Sequence, residues 1–135
     1  MVSTQATVEI SHHYGMDRFE EAGAVILNVV NRAYCKKLIV LLPGQRHPEQ
    51  YHKLKEETFH VLHGGLSVSL DGAIQACRPG DILTVERGVR HAFWTEEGCI
   101  IEEISSTHFK DDSYYLDPAI AGNPDRKTYV THFFG

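Results

Sequence analysis

The chain has no apolar run approaching the roughly 20 residues that a membrane-spanning helix needs, so no membrane span is expected among its 135 residues. It also lacks a basic block. With a net charge of −5, nucleic acid is not expected as its main partner. No CxxC pair occurs, and the three cysteines, Cys35, Cys77 and Cys99, are odd in number and widely spaced. That excludes a thiolate zinc site and a disulfide framework as readings and leaves the cysteines as small buried apolar residues. The first residues, MVSTQATVEI, show no basic region followed by an apolar core. They do not read as a secretory signal, and a cytoplasmic location is expected. Repeats, linkers and low-complexity stretches are missing too.

What is present is the composition of an ordinary globular domain, 42% hydrophobic and 23% charged. The length suits one domain with a real core, spanning residues 1–135. Nine histidines are many for this length and justify a search for a metal site.

The fold class expected is all-β. Val8 to Ser11 reads as a short strand after a loose start, and Asp17 as the cap of a short helical turn. Ala24 to Val30 is apolar and β-branched, the pattern of a strand buried on both faces. Tyr34 to Leu42 is a strand stopped by Pro43-Gly44, and Thr58 to His63 one closed by Gly64-Gly65. Leu66, Val68 and Leu70 alternate with serines, and Asp71-Gly72 is a hairpin turn leading back through Ala73 to Cys77. Ile82 to Val85, Ala92 to Trp94 and Cys99 to Ile104 add three more short strands. Ser105 to Arg126 reads as a polar loop around Tyr114-Tyr115-Leu116, and Lys127 to Phe134 as a last strand. Short, evenly spaced strands separated by Gly, Pro and Asp-Gly mean an antiparallel sandwich or barrel.

Two stretches carry the chemistry. In the first, Gly44 is followed by five residues, then Gln50-Tyr51-His52, four residues, Glu57, six residues and Gly64. In the second, Gly80 is followed by five residues, then Glu86-Arg87-Gly88, two residues, His91, three residues and Thr95. In spacing these resemble the two motifs of the cupin superfamily, a small jelly-roll β-barrel. Gln50 stands where the first motif usually has His, and Glu86 and Thr95 replace the Pro and Asn of the second. The resemblance covers about residues 34 to 105. It implies a divalent metal held by Gln50, His52, Glu57 and His91. Gln50 and His52, two apart, point to one face of a strand. Two imidazoles, a carboxylate and an amide oxygen suit Mn²⁺, Fe²⁺, Zn²⁺, Ni²⁺ or Co²⁺, the amide being the weakest ligand. The alternative is a hydrogen-bonded polar network in a metal-free barrel.

The string HPEQYHKLKEETFHVLHG is similar to the metal-binding stretch of cupin-type D-lyxose isomerases. A longer string from His12 to Phe59 resembles cupin domains associated with nonulosonic (sialic-like) acid synthases. Both resemblances imply a small sugar or sugar acid as partner, the second also association with a sugar-acid synthase. Three functions stay open: a metal-dependent sugar isomerase or epimerase, an iron-dependent dioxygenase, and a non-catalytic carbohydrate-binding or regulatory domain. For an isomerase, a base must move a proton between C1 and C2, and Glu103, Lys55 and His47 are the candidates. Glu103 faces inward if Glu102 faces out. Arg87 and Arg90, on the turn before His91, are candidates to clamp a carboxylate or phosphate; their bland reading is as surface residues. One of Lys36 and Lys37 must face inward, and Lys37 is the candidate substrate-binding cation. In cupins an N-terminal segment often swaps onto a neighbouring subunit. That places His12-His13-Tyr14 at an interface rather than near a site, and since barrel cupins commonly pair through a sheet face, the resemblance also implies a homodimer.

Overall fold

The structure, a computed structural model, describes residues 6–130. Among these, twelve strands build two antiparallel sheets that face one another. One sheet contains β1 (Thr7–His12), β2 (Gly23–Asn31), β3 (Tyr34–Leu41), β5 (Glu57–Gly64), β8 (Ile82–Val85), β10 (Cys99–Ser106) and β12 (Lys127–Val130), in the order β12-β1-β2-β3-β10-β5-β8. The other contains β4 (Arg46–Tyr51), β6 (Leu66–Leu70), β7 (Ala73–Cys77), β9 (His91–Trp94) and β11 (Tyr114–Tyr115), in the order β11-β4-β9-β6-β7. This is a jelly-roll sandwich, the all-β architecture expected.

Alternation along the strands makes the core. On β5, Glu57, Phe59 and Val61 are buried while Thr58, His60 and Leu62 turn outward. On β10, Cys99, Ile101, Glu103 and Ser105 are buried between outward Ile100, Glu102 and Ile104. On β3 the inward set is Cys35, Lys37, Ile39 and Leu41. Each inward row is apolar at one end and polar at the other, and the register aligns these ends. Ile101 lies opposite Ile39 and Val61, whereas Glu103 lies opposite Lys37 and Phe59. The barrel therefore has an apolar floor, centred on Phe59, Val61, Val68, Phe93 and Ile101, and a charged upper layer.

Tight turns hold the register. Asp71 and Gly72 both take positive φ (48° and 88°) between β6 and β7, as the Asp-Gly hairpin requires. Gly64 has φ 74°, and a Cβ there would fall 2.0 Å from the Gly98 carbonyl oxygen, so the glycine that closes the first motif admits no side chain.

Several local expectations differ. β2 is buried only in its first half. Its last residues lie past the register shift between Asn28 and Val30 and beyond the end of β1, and Val29 is exposed. The strand expected to carry Gln50 and His52 is β4, but it ends at Tyr51, and its first residues, Arg46, His47, Pro48 and Glu49, have little strand character. A register shift between His47 and Gln50 accommodates Pro48. Asp17 sits inside a short 3-10 turn, Met16–Arg18, that has no side-chain cap. The tail is more ordered than a loop: it adds β11 and a helical turn, α1 (Pro118–Ala121), whose first turn is capped by Asp117. Residues 131–134 of the expected last strand, and most of the loose start, lie outside the described residues. β1 pairs with β2 and β12 of its own chain.

Candidate metal centre

His52 just after β4, Glu57 at the start of β5 and His91 at the start of β9 converge from the two sheets. One ligand atom from each lies within 4.8 Å of the others, and all three residues are buried. His91 Nε2 is 2.9 Å and His52 Nε2 is 3.4 Å from Glu57 Oε1. The other ring nitrogens are engaged. His52 Nδ1–H donates to the Asp112 carbonyl at 2.8 Å, and His91 Nδ1–H donates to the Val89 carbonyl at 3.0 Å. Those bonds fix the tautomers and leave both Nε2 atoms as lone pairs.

His52 Nε2, His91 Nε2, Glu57 Oε1 and Gln50 Oε1 are all buried without an aligned hydrogen-bond partner. The 2.9 Å approach of His91 to Glu57 is short enough for a hydrogen bond but not directed as one. Four buried acceptors lacking donors are costly, and a cation placed among them removes that cost. The residues present therefore fit a divalent metal. Gln50 pairs in register with His91 and lines the same cavity.

Charge around the centre is layered. Lys55 Nζ lies 3.3 Å from Glu57 Oε2, 3.4 Å from Glu103 Oε2 and 3.3 Å from His108 Nδ1. Burial alone would lower its pKa, but the two carboxylates outweigh that and raise it, so Lys55 stays a cation. Burial would raise the Glu57 pKa, yet the Lys55 ammonium holds it well below the usual carboxylate range. Glu103 goes the other way: burial and the nearby Glu57 charge push its pKa up despite Lys55 and Lys37. Burial lowers His47 well below the ordinary histidine value, with the neighbouring His13 adding to the effect. His47 lies between Phe93, stacked at 4.6 Å, and His13, edge-on at 4.6 Å.

One organiser has no signal in the motifs. The carboxylate of Asp112, in the tail, accepts the backbone N–H groups of Lys53, Leu54 and Lys55 at 2.9–3.1 Å. Its carbonyl holds His52. A single buried residue thus shapes the loop between His52 and Glu57.

Residues 37–100 match the Cupin domain family. The D-lyxose/D-mannose isomerase of Thermosediminibacter oceani is 30% identical, over 83% of this chain and 78% of that protein. The chain belongs to the cupin family. A polyketide synthase protein, CurC, of Streptomyces cyaneus is 38% identical over 68% of this cupin and 62% of its own length. The L-ribose isomerase structure of Geodermatophilus obscurus superposes with a TM-score of 0.73 at 17% identity, covering 90% of this chain and 84% of that one. At that identity the match speaks for the fold.

In this cupin the cavity beside the centre has a volume of about 40 Å³, and Gln50, His52, Glu57, Lys55, Glu103, His47 and Lys37 line it. His91 is fully buried behind them. Arg87 and Arg90 do not reach it. Arg87 is exposed, donating to the Leu54 carbonyl at 2.8 Å, and Arg90 is exposed beside Asp71. Both lie on the turn before β9, as expected, but that turn faces solvent rather than the cavity. His12 and His13 are buried within their own chain, His13 against His47 and His12 Nε2 2.9 Å from Thr128 Oγ1. Sequence reasoning missed Glu9, Ser11, His108, Tyr115 and Lys127 as cavity residues. They come from the chain's two end strands and its tail, far from either motif.

Proposed function

We propose that this cupin is a metal-dependent aldose–ketose isomerase acting on a small carbohydrate. The observation that carries the reading is the set of unpaired lone pairs on Gln50, His52, Glu57 and His91, placed beside a buried Lys55–Glu103 pair. Relationship to a D-lyxose/D-mannose isomerase supports it, because that similarity spans 83% of the chain against 68% for the polyketide protein.

Gln50, His52, Glu57 and His91 would hold the divalent ion. When bound, the ion supplies a positive charge that polarises the sugar carbonyl and its neighbouring hydroxyl. The remaining work falls to the chain. Glu103, with its raised pKa, is the base. Its carboxylate takes the proton from C2 of the open-chain aldose and returns it to C1, while the hydroxyl proton on O2 passes to O1. Reactant and product are isomers, so no oxidant or co-reactant is needed. Lys55 is held as a cation and so does not serve as the base; it orients Glu103 and keeps Glu57 and Glu103 from repelling one another. Neutral His47 forms a cavity wall on Phe93. The apolar floor keeps bulk water from the reacting carbons.

The test is proton NMR of manganese-loaded protein with a panel of aldopentoses and aldohexoses in D₂O. Ketose should form with deuterium at the transferred position. Glu103→Gln should slow this by about 10²–10⁴-fold without loss of bound manganese. A panel that shows neither ketose nor exchange overturns the reading.

A further inference from the structure

Every carboxylate in the cavity has a partner, but one ammonium does not. Glu57 and Glu103 share Lys55 at 3.3 and 3.4 Å. Glu9 accepts from Ser11 Oγ at 2.8 Å and faces Lys127 Nζ at 3.5 Å. Lys37 lines the same cavity, is 93% buried (7% exposed), and makes no ion pair or side-chain hydrogen bond among the described residues. It projects from β3 opposite Glu103 on β10 and Asn28 on β2, and the Asn28 amide is turned to Thr7 and Glu9. Glu9 and Glu103 feel its charge only from beyond contact distance, and a buried ammonium with no anion in contact is costly, so this one can accept one.

The wider charge balance points the same way. Three carboxylates, Glu9, Glu57 and Glu103, stand against three ammonium groups, Lys37, Lys55 and Lys127. A divalent ion at the centre then leaves two positive charges in excess. His108 and Lys127 form the wall shared with an outer recess of about 550 Å³, which Lys110, Arg126 and a single carboxylate, Asp111, also line. Arg126 Nε is buried there with no acceptor. The inner cavity is too small for a whole sugar, so a substrate reacting at Glu103 must extend toward this recess.

We propose that the substrate is an anionic sugar, a sugar carboxylate or sugar phosphate, with its charged group bound by Lys37 and, toward the recess, Lys127. This rests on the isomerase reading and narrows its substrate class. A neutral aldose would leave Lys37 without an anion in contact.

Calorimetry on manganese-loaded protein tests it with two matched pairs, D-glucuronate against D-glucose and D-ribose 5-phosphate against D-ribose. At least one anion should bind ten-fold or more tightly than its neutral partner, and whichever pair shows the preference identifies carboxylate or phosphate. Lys37→Met should abolish the preference. Lys37→Arg, which keeps the charge, should retain it and covers the case in which Lys37→Met fails to fold. Equal affinity within both pairs overturns the proposal, as does a preference that survives Lys37→Met. Isomerisation of neutral sugars with no anion preference defeats the anion subsite alone. Tight anion binding without C2 proton exchange defeats the isomerase reading but leaves the subsite standing.

Discussion

Replacing Asp112 by Ala should both destabilise the fold and loosen the metal centre. The carboxylate accepts three consecutive backbone N–H groups, of Lys53, Leu54 and Lys55. Hydrogen bonds to a charged group contribute about 1.5–3 kcal/mol each. Lys53 and Leu54 are exposed, so water can replace the lost acceptor there, and the lower figure applies. Lys55 is buried, so its N–H would bear the larger penalty. The expected loss is about 4–6 kcal/mol, read as a lower urea midpoint at unchanged slope. Asp112→Asn keeps one acceptor oxygen, and roughly half that loss is expected. The loop these bonds shape begins at His52, whose Nδ1–H is held by the Asp112 carbonyl. Manganese affinity, followed by electron paramagnetic resonance, should therefore fall about 10–100-fold. A loss of stability under 1 kcal/mol, or unchanged manganese affinity in Asp112→Ala, would refute the assignment.

Burial lowers the His13 pKa from 6.5 to about 4, so the native state holds it neutral while the unfolded chain protonates it. The stability this represents is complete above about pH 6.5 and is lost as pH falls toward 4, at about 1.4 kcal/mol per unit. His13→Gln should lessen the fall of the urea midpoint over that window, with buried His47 still contributing, and an unchanged pH dependence in the variant would count against the linkage. Phe93→Ala, which empties the space beneath His47 and beside Phe59, should cost about 3–5 kcal/mol in thermal or urea unfolding. Gly64→Ala should fail to fold stably, because its Cβ would meet the Gly98 carbonyl at 2.0 Å; a melting temperature within a few degrees of the parent would contradict that contact.

The sequence made the barrel legible because its strands alternate cleanly and its turns use Asp-Gly, Pro-Gly and Gly-Gly. The candidate ligands were legible for the same reason: their spacing is local, and parity fixes which side chains share a face. Glu103 inward with Glu102 outward, and Lys37 inward with Lys36 outward, follow that parity. What spacing cannot encode is the layer brought from far along the chain. Asp112, His108 and Tyr115 arrive from a polar tail with no periodicity, and Glu9 and Lys127 from end strands that meet only in the folded sheet. Arg87 and Arg90 mark the converse error, since nearness to His91 in sequence does not carry through a turn.

Glu57 belongs to one sheet, His91 to the other, and His52 follows directly on a strand of the second. An ion gripped by all three would rivet the halves of the sandwich across their charged rim. Amide hydrogen exchange should then slow jointly at the starts of β5 and β9 on loading, while the Leu66–Cys77 end of the β6–β7 pair, at the far end of β9 from His91, keeps its own rhythm. Metal would thus govern how widely the layers part as well as what chemistry occurs between them.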